Sequence, residues 1–279
     1  MESETLTLYD QNIWGNMPRG ERIADRNALI SGRVRACNAD ILCFQECNPT
    51  TSRRGDNPPE LPTNAIADLL APPFREAPTC AGENNYTPVF YRPDRLTLLE
   101  SGYHPFAGKN DLGSKSITWA VLEQKTSGAR LAVCSVHFWW KADTPEDNAA
   151  RLDNAAVLWS KMSTLSARWD VPVIATGDLN CGAESPQGSE PYFALSAHLN
   201  DVRAIARETT ACHTHHNEPH LGADDKYCGG SLPVRTLDHM FATRDDRLSV
   251  LRFSVDVAPD ALNSSDHCPL VAALRVRGD

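Results

Sequence analysis

A chain of 279 residues suits one large α/β domain or two smaller ones, and either would bury a sizeable core. Lysine and arginine total 27 against 36 aspartates and glutamates, a net charge of −9, with no basic run long enough to track a phosphate backbone. This balance argues against a dedicated duplex-DNA binder and leaves small phosphorylated substrates open.

The amino terminus is acidic and polar and no membrane span or secretory signal is visible. The nine cysteines are odd in number and scattered, several of them (Cys43, Cys134) inside apolar runs. Small buried thiols in a reducing, cytoplasmic interior are the expectation. Alternation around Leu6, Leu8 and Tyr9 predicts a strand running into Gln11-Asn12-Ile13-Trp14. Residues 19–37 read as an amphipathic helix through Ile23, Leu29, Ile30 and Val34, and 39–44 as a short buried strand ending at Gln45-Glu46. Such an opening implies two strands joined by a crossover helix.

Residues 50–62 read as a surface loop and 63–71 as a short helix. Strands are expected at 86–92, 96–102, 116–124 and 130–138, the last two as a hairpin around Ser127-Gly128. The longest helical pattern covers 145–168, with Leu152, Ala155, Ala156, Leu158, Trp159, Met162 and Leu165 on its apolar face. A buried strand, 171–175, delivers Gly177-Asp178-Leu179-Asn180, and 189–197 reads as a helix. Residues 207–234 are polar with little periodicity, and three strands close the chain at about 236–243, 248–256 and 269–276. Without repeats or a linker, a single domain over 1–279 with two sheets and flanking helices is expected.

Polar residues of one chemical kind stand at the strand ends: Asn12, Glu46, His137, Asp178 and Asn180, then Asp238, and Asp266-His267 before the last strand. Adjacent residues of extended chain point oppositely, so Asp266 and His267 can serve two halves of one site. Oxygen donors dominate the set, which suits a hard divalent cation, while imidazoles suit phosphoryl oxygens. Each has a plain alternative in turn or cap chemistry, which the joint placement weakens.

The ordered segments Gln11-Asn12-Ile13-Trp14, Gln45-Glu46, Ser135-Val136-His137, Gly177-Asp178-Leu179-Asn180, Leu237-Asp238-His239 and Ser265-Asp266-His267-Cys268-Pro269 resemble the endonuclease/exonuclease/phosphatase superfamily over nearly the whole chain. The resemblance implies a four-layer α/β/β/α sandwich with two mixed, mainly antiparallel sheets. It implies that Asn12, Glu46 and Asp266 hold one or two Mg²⁺ or Mn²⁺ ions, and that Asp178 orients or deprotonates the attacking water. Asn180 would steady the nucleophile, His137 and His267 would bind phosphoryl oxygens, and Asp238 would fix an imidazole.

Three further positions are candidates for substrate contact. Tyr86 stands where the family often has an acidic residue or tyrosine, with Asn84 and Asn85 as neighbours; it reads equally as core or rim. Lys115 either meets phosphate or is a solvated loop lysine, and Trp139 and Trp140 either stack on a base, sugar or headgroup or close the core. The stretch from Cys212 to His220, with Cys228, suggests an additional zinc site near His213 and His220, although the family's Thr-x-His segment falls there and would place these histidines at the cleft. The expected function is a metal-dependent phosphoesterase acting on a phosphodiester or phosphomonoester, with a small or lipid-headgroup substrate favoured. A nuclease on DNA or RNA, and a catalytically silent scaffold, are the alternatives; no obligate protein partner is evident.

Overall fold

The computed structural model describes residues 4–15, 23–49, 62–111, 113–184, 189–210, 213–224 and 226–278. The start of the first expected helix, most of the 50–62 loop and Cys212 lie outside these residues. In chain order the elements are β1 (Thr5–Asn12), α1 (Ile23–Ala36), β2 (Ile41–Gln45), α2 (Ile66–Leu70), β3 (Arg75–Glu76), β4 (Val89–Tyr91), β5 (Leu96–Pro105), β6 (Ser116–Gln124) and β7 (Arg130–His137). They continue with α3 (Pro145–Trp169), β8 (Val173–Asp178), α4 (Glu190–Ser196), β9 (Asn200–Asp201), α5 (Val202–Ile205), β10 (Glu208–Thr210), β11 (His220–Leu221), β12 (Tyr227–Cys228), β13 (Asp238–Ala242), β14 (Leu248–Val255), α6 (Pro259–Leu262) and β15 (Leu270–Val276).

Two mixed sheets result, a seven-stranded one ordered β10-β14-β15-β1-β2-β4-β3 and a six-stranded one ordered β5-β6-β7-β8-β13-β9. Parallel pairing joins β1 to β2, β7 to β8 and β10 to β14, and the other pairs within these sheets are antiparallel. The period of two along each strand sorts side chains into layers. Leu6 and Leu8 of β1, Ile41 and Cys43 of β2, and Leu131 and Val133 of β7 fill the core between the sheets. Their neighbours Tyr9, Leu42 and Phe44 pack against Ile30 and Val34 of α1 and Ile66 and Leu70 of α2. Ala132, Cys134 and Val136 face Ala155, Leu158, Met162 and Leu165 of α3. This is the expected sandwich of helix, sheet, sheet and helix.

Helix α3 begins at a reciprocal cap between Thr144 and Asp147 with Pro145 in its first turn, and ends at Asp170, whose left-handed φ of 50° stops it. Burying Leu158, Met162 and Leu165 contributes about 1.5–3 kcal/mol each. Leu152 and Ala156, expected on the apolar face, are exposed, and Arg151 and Asn154 are buried instead. Both polar side chains serve the chain beyond the strands: Arg151 donates to the Asn180 carbonyl and Asn154 accepts from the Trp139 N–H. The strand expected over 86–92 shrinks to β4, since Pro88 has no N–H to extend a ladder. The polar 207–234 stretch contains three short strands that its composition does not announce.

Gly177 of β8 has a φ of 147°, and a Cβ there would stand 2.0 Å from the Val136 carbonyl oxygen of the adjoining strand. The clash is with backbone, which has no rotamer to yield. Gly177→Ala is expected to destabilise the protein by about 3 kcal/mol or more, read as a shift in the denaturant midpoint. An unchanged midpoint would show that β7 and β8 can part at the site.

Candidate active site

Strand register assembles the site. In the six-stranded sheet His137 pairs with Asp178 across β7 and β8, and Asp178 pairs with Asp238 across β8 and β13, so three polar side chains form one transverse row. In the other sheet Asn12 pairs with Gln45, one residue before Glu46. Beyond these ends Trp14, Glu46 and Asn180 take left-handed φ values of 50°, 56° and 50°. Each costs a non-glycine residue about 1 kcal/mol, and together they turn the chain sharply where the strands stop.

Asp178 is the hub. Its Oδ2 accepts from Asn12 Nδ2 at 3.0 Å and lies 3.4 Å from His137 Nε2 and 3.9 Å from His267 Nε2, while Oδ1 accepts from the Asn180 N–H at 2.8 Å. Burial would raise this carboxyl, but the His137 hydrogen bond and the charges of His267, His137 and Lys115 hold it well below the usual range. Asn12 also donates to Glu46 Oε1 at 3.3 Å, and its own oxygen accepts from the Trp14 N–H at 2.9 Å. Asn12 thus shows donors to the carboxylates, and its oxygen, the atom expected to bind a cation, is engaged by backbone. Asn180 donates to the Phe138 carbonyl at 3.1 Å.

Asp238 grips His267 Nδ1 at 2.9 and 3.0 Å and in turn accepts from the Thr214 hydroxyl at 2.6 Å. This fixes the imidazole and leaves Nε2 facing Asp178 and Asp266, the latter at 4.0 Å. Burial opposes its charge, yet Asp238 and Asp266 raise the His267 pKa well above 6.5. A raised histidine contributes stability that is full below its unfolded value and lost as pH rises through its folded value. The thermal advantage of wild type over Asp238→Asn is therefore expected to be full near about pH 6 and to shrink as pH rises. An advantage growing with pH would mean that His267 is neutral in the fold.

The carboxylates facing the row are strained electrostatically. Burial, with Glu46 and Glu218 nearby and against the pull of His267, pushes Asp266 up to about 7. Glu46 is lowered, because His137, Lys115 and His267 outweigh its burial. Its Oε2 is buried with no hydrogen-bond partner among the described residues. His215, from the polar stretch, packs edge-on against His267 with ring centroids 4.7 Å apart and places Nε2 3.7 Å from Asp266 Oδ2. One nitrogen or oxygen each from His215, Asp266 and His267 lie within 4.8 Å of one another. The rest of that stretch disperses: His213 bonds Thr236, Thr214 bonds Asp238, and His220 lies 3.6 Å from the Cys228 sulfur. Among the described residues these histidines form no zinc site of their own.

The expected substrate contacts fall unevenly. Lys115 is not a solvated loop residue; it is buried, with Nζ 2.7 Å from His137 Nε2. Trp139 is buried, its indole N–H held by Asp147, whereas Trp140 is 52% exposed beside it. Tyr86 is half-buried, and its neighbour Asn85 is taken up with Thr87 and Thr118. Sequence reasoning set the histidines of this stretch at the cleft but gave Thr214 and His215 no role, and it missed the bridge from Gln45 to Asp10 and Ser135 that ties the sheets beneath the site. Polar residues within otherwise apolar strands were the available signal.

A sandwich of two mixed sheets with this row at its strand ends is the architecture of one class of phosphoester-cleaving proteins. Residues 11–267 match the model of the Endonuclease/Exonuclease/phosphatase family, and the chain belongs to that family. A Bacteroides vulgatus endonuclease/exonuclease/phosphatase superposes with a TM-score of 0.74 at 20% identity, over 98% of this chain and 100% of that one. A mannosyl-6-phosphatase of Bacteroides thetaiotaomicron gives 0.72 at 20%, over 96% and 99%. The D. rerio protein TDP2, complexed with single-strand DNA product, gives 0.69 at 16%, over 98% and 100%. These likenesses establish a shared fold. No curated protein sequence matches.

Proposed function

We propose that the chain, as a single domain, is a divalent-metal-dependent phosphoesterase that hydrolyses a small or lipid-like phosphorylated substrate by direct attack of water. The observation that carries this reading is Asp178, a buried carboxylate kept ionised at the centre of Asn12, His137, His267 and the Asn180 N–H. Being so acidic, it serves better as an acceptor that orients water than as a strong base. Asn180, held through its amide by the Phe138 carbonyl, would steady the nucleophile beside Asp178. His267, fixed by Asp238, presents an N–H to a phosphoryl oxygen or the leaving oxygen.

The donor set fits a hard cation such as Mg²⁺ or Mn²⁺. Glu46, with its orphaned Oε2, and Asp266, whose carboxyl burial and Glu46 push up and a cation would pull back down, are the carboxylates that would hold it. Bound there, the cation would offset charge that develops on the phosphoryl oxygens. Asn12 supports the pair by tethering Glu46 to Asp178.

The net charge of −9 and the likeness to a mannosyl-6-phosphatase support a small substrate as the first test. Sugar phosphates, p-nitrophenyl phosphate, bis-p-nitrophenyl phosphate, phospholipid headgroups and nucleic acids, each with Mg²⁺ or Mn²⁺, form the panel. Turnover of a small phosphoester that EDTA removes is expected. Hydrolysis confined to nucleic acid with a steep salt dependence would replace the substrate half of the reading by a nuclease. Silence across the panel would leave a binding scaffold.

A further inference from the structure

We propose that Lys115 forms an anion subsite on the cleft floor that selects a phosphomonoester dianion over a diester, deepening the phosphoesterase reading, on which it rests. Lys115 is 5% exposed, and no carboxylate of the described residues lies within 4.0 Å of its ammonium. Its partner is an imidazole, His137 Nε2 at 2.7 Å, with Nδ1 at 3.4 Å. A buried charge is ordinarily paired with an opposite one, because desolvation is otherwise uncompensated. Here Glu46, Asp178 and Asp111 act on the ammonium only from beyond contact distance, and the anion in direct contact is supplied by the substrate.

The lysine is placed, not loosely tethered. Its backbone N–H donates to Asn110 Oδ1 at 2.9 Å, and its carbonyl accepts from Asn110 Nδ2 at 2.9 Å and from the Phe106 N–H at 2.9 Å. That clasp sets the start of β6 beside the end of β7, and the side chain spans the gap to His137. An ammonium has three protons, and the His137 ring can take no more than one of them. Two donors remain next to the His137–Asp178 row. Burial pulls the lysine below its usual range while Glu46, Asp178 and Asp111 pull it up.

The selectivity follows from charge. Near neutral pH a phosphomonoester carries close to two negative charges on three terminal oxygens, a diester one charge on two. A desolvated cation favours the second charge strongly, since little solvent screens it. Any other cation of the site favours the dianion in the same sense, so the share due to Lys115 is the preference that its variants lose.

The test compares wild type, Lys115→Met and Lys115→Arg on p-nitrophenyl phosphate and bis-p-nitrophenyl phosphate with Mn²⁺. Loss of a buried ionic contact is expected to lower kcat/KM for the monoester about 100-fold and for the diester by less than about 10-fold, with arginine restoring part of the preference. Equal losses on both substrates would overturn the subsite. A second measurement needs neither turnover nor a folded variant: calorimetric binding of inorganic phosphate and of dimethyl phosphate to the wild-type protein. At least about tenfold tighter binding of the dianion at pH 8 is expected, and equal affinities would overturn the proposal. Absence of metal-dependent hydrolysis in wild type strikes the phosphoesterase reading and leaves this comparison of anions to decide the subsite.

Discussion

Replacing Glu46 with Gln is expected to lower metal-dependent hydrolysis by about 1,000-fold or more while the protein stays folded. The side chain is nearly isosteric, and its Oε1 can still accept from Asn12. What it loses is the charge on a carboxylate whose Oε2 meets no partner and whose neighbours, first of them His137, favour ionisation against burial. Glu46 also stands close enough to Asp266 to raise its pKa, so neutralising it relieves repulsion. The thermal midpoint without metal should nonetheless fall slightly, because the lowered pKa means that the attraction of His137, Lys115 and His267 for the ionised carboxylate exceeds that repulsion. The midpoint shift that Mn²⁺ causes in wild type should shrink or vanish, because binding to the folded state stabilises it by mass action. A variant that keeps both turnover and the metal-induced shift would remove Glu46 from the cation site.

Asp178→Asn is expected to cost about 10³- to 10⁴-fold in kcat with the metal-induced shift retained, which separates it from the Glu46 variant. An asparagine at this hub keeps one oxygen for the Asn180 N–H. Its amide nitrogen would then confront Asn12 Nδ2, donor against donor, at the position where the carboxylate accepts at 3.0 Å. A stability loss of about 1–3 kcal/mol is expected from that mismatch. Removing the negative centre also withdraws one of the charges that favour protonation of His267. Wild-type kcat in the folded variant would mean that water is oriented by another group.

Much of the architecture was legible beforehand because layer assignment follows local periodicity. The β1-α1-β2 opening, the β6–β7 hairpin and α3 all appear where alternation or helical spacing placed them. The departures have local causes: Pro88 interrupts pairing, and the buried Arg151 and Asn154 answer to the chain beyond β7 and β8 rather than to helix amphipathicity. The short strands β9 to β12 escaped notice because two- or three-residue ladders carry no period to detect.

The chain itself determined which residues gather at the strand ends, since Asn12, Glu46, His137, Asp178 and Asp238 each sit at or next to a strand boundary marked by a change from apolar to polar residues. Only the tertiary structure decided what each of them touches. Register across three strands made Asp178 the hub, a turn of the Asn12 amide set donors against two carboxylates, and the Asn110 clasp drove Lys115 into the floor beside His137. The Asn110 clasp apart, those contacts join residues 22 to 166 positions apart, and no local pattern records the sign or direction of a side chain once distant strands bury it.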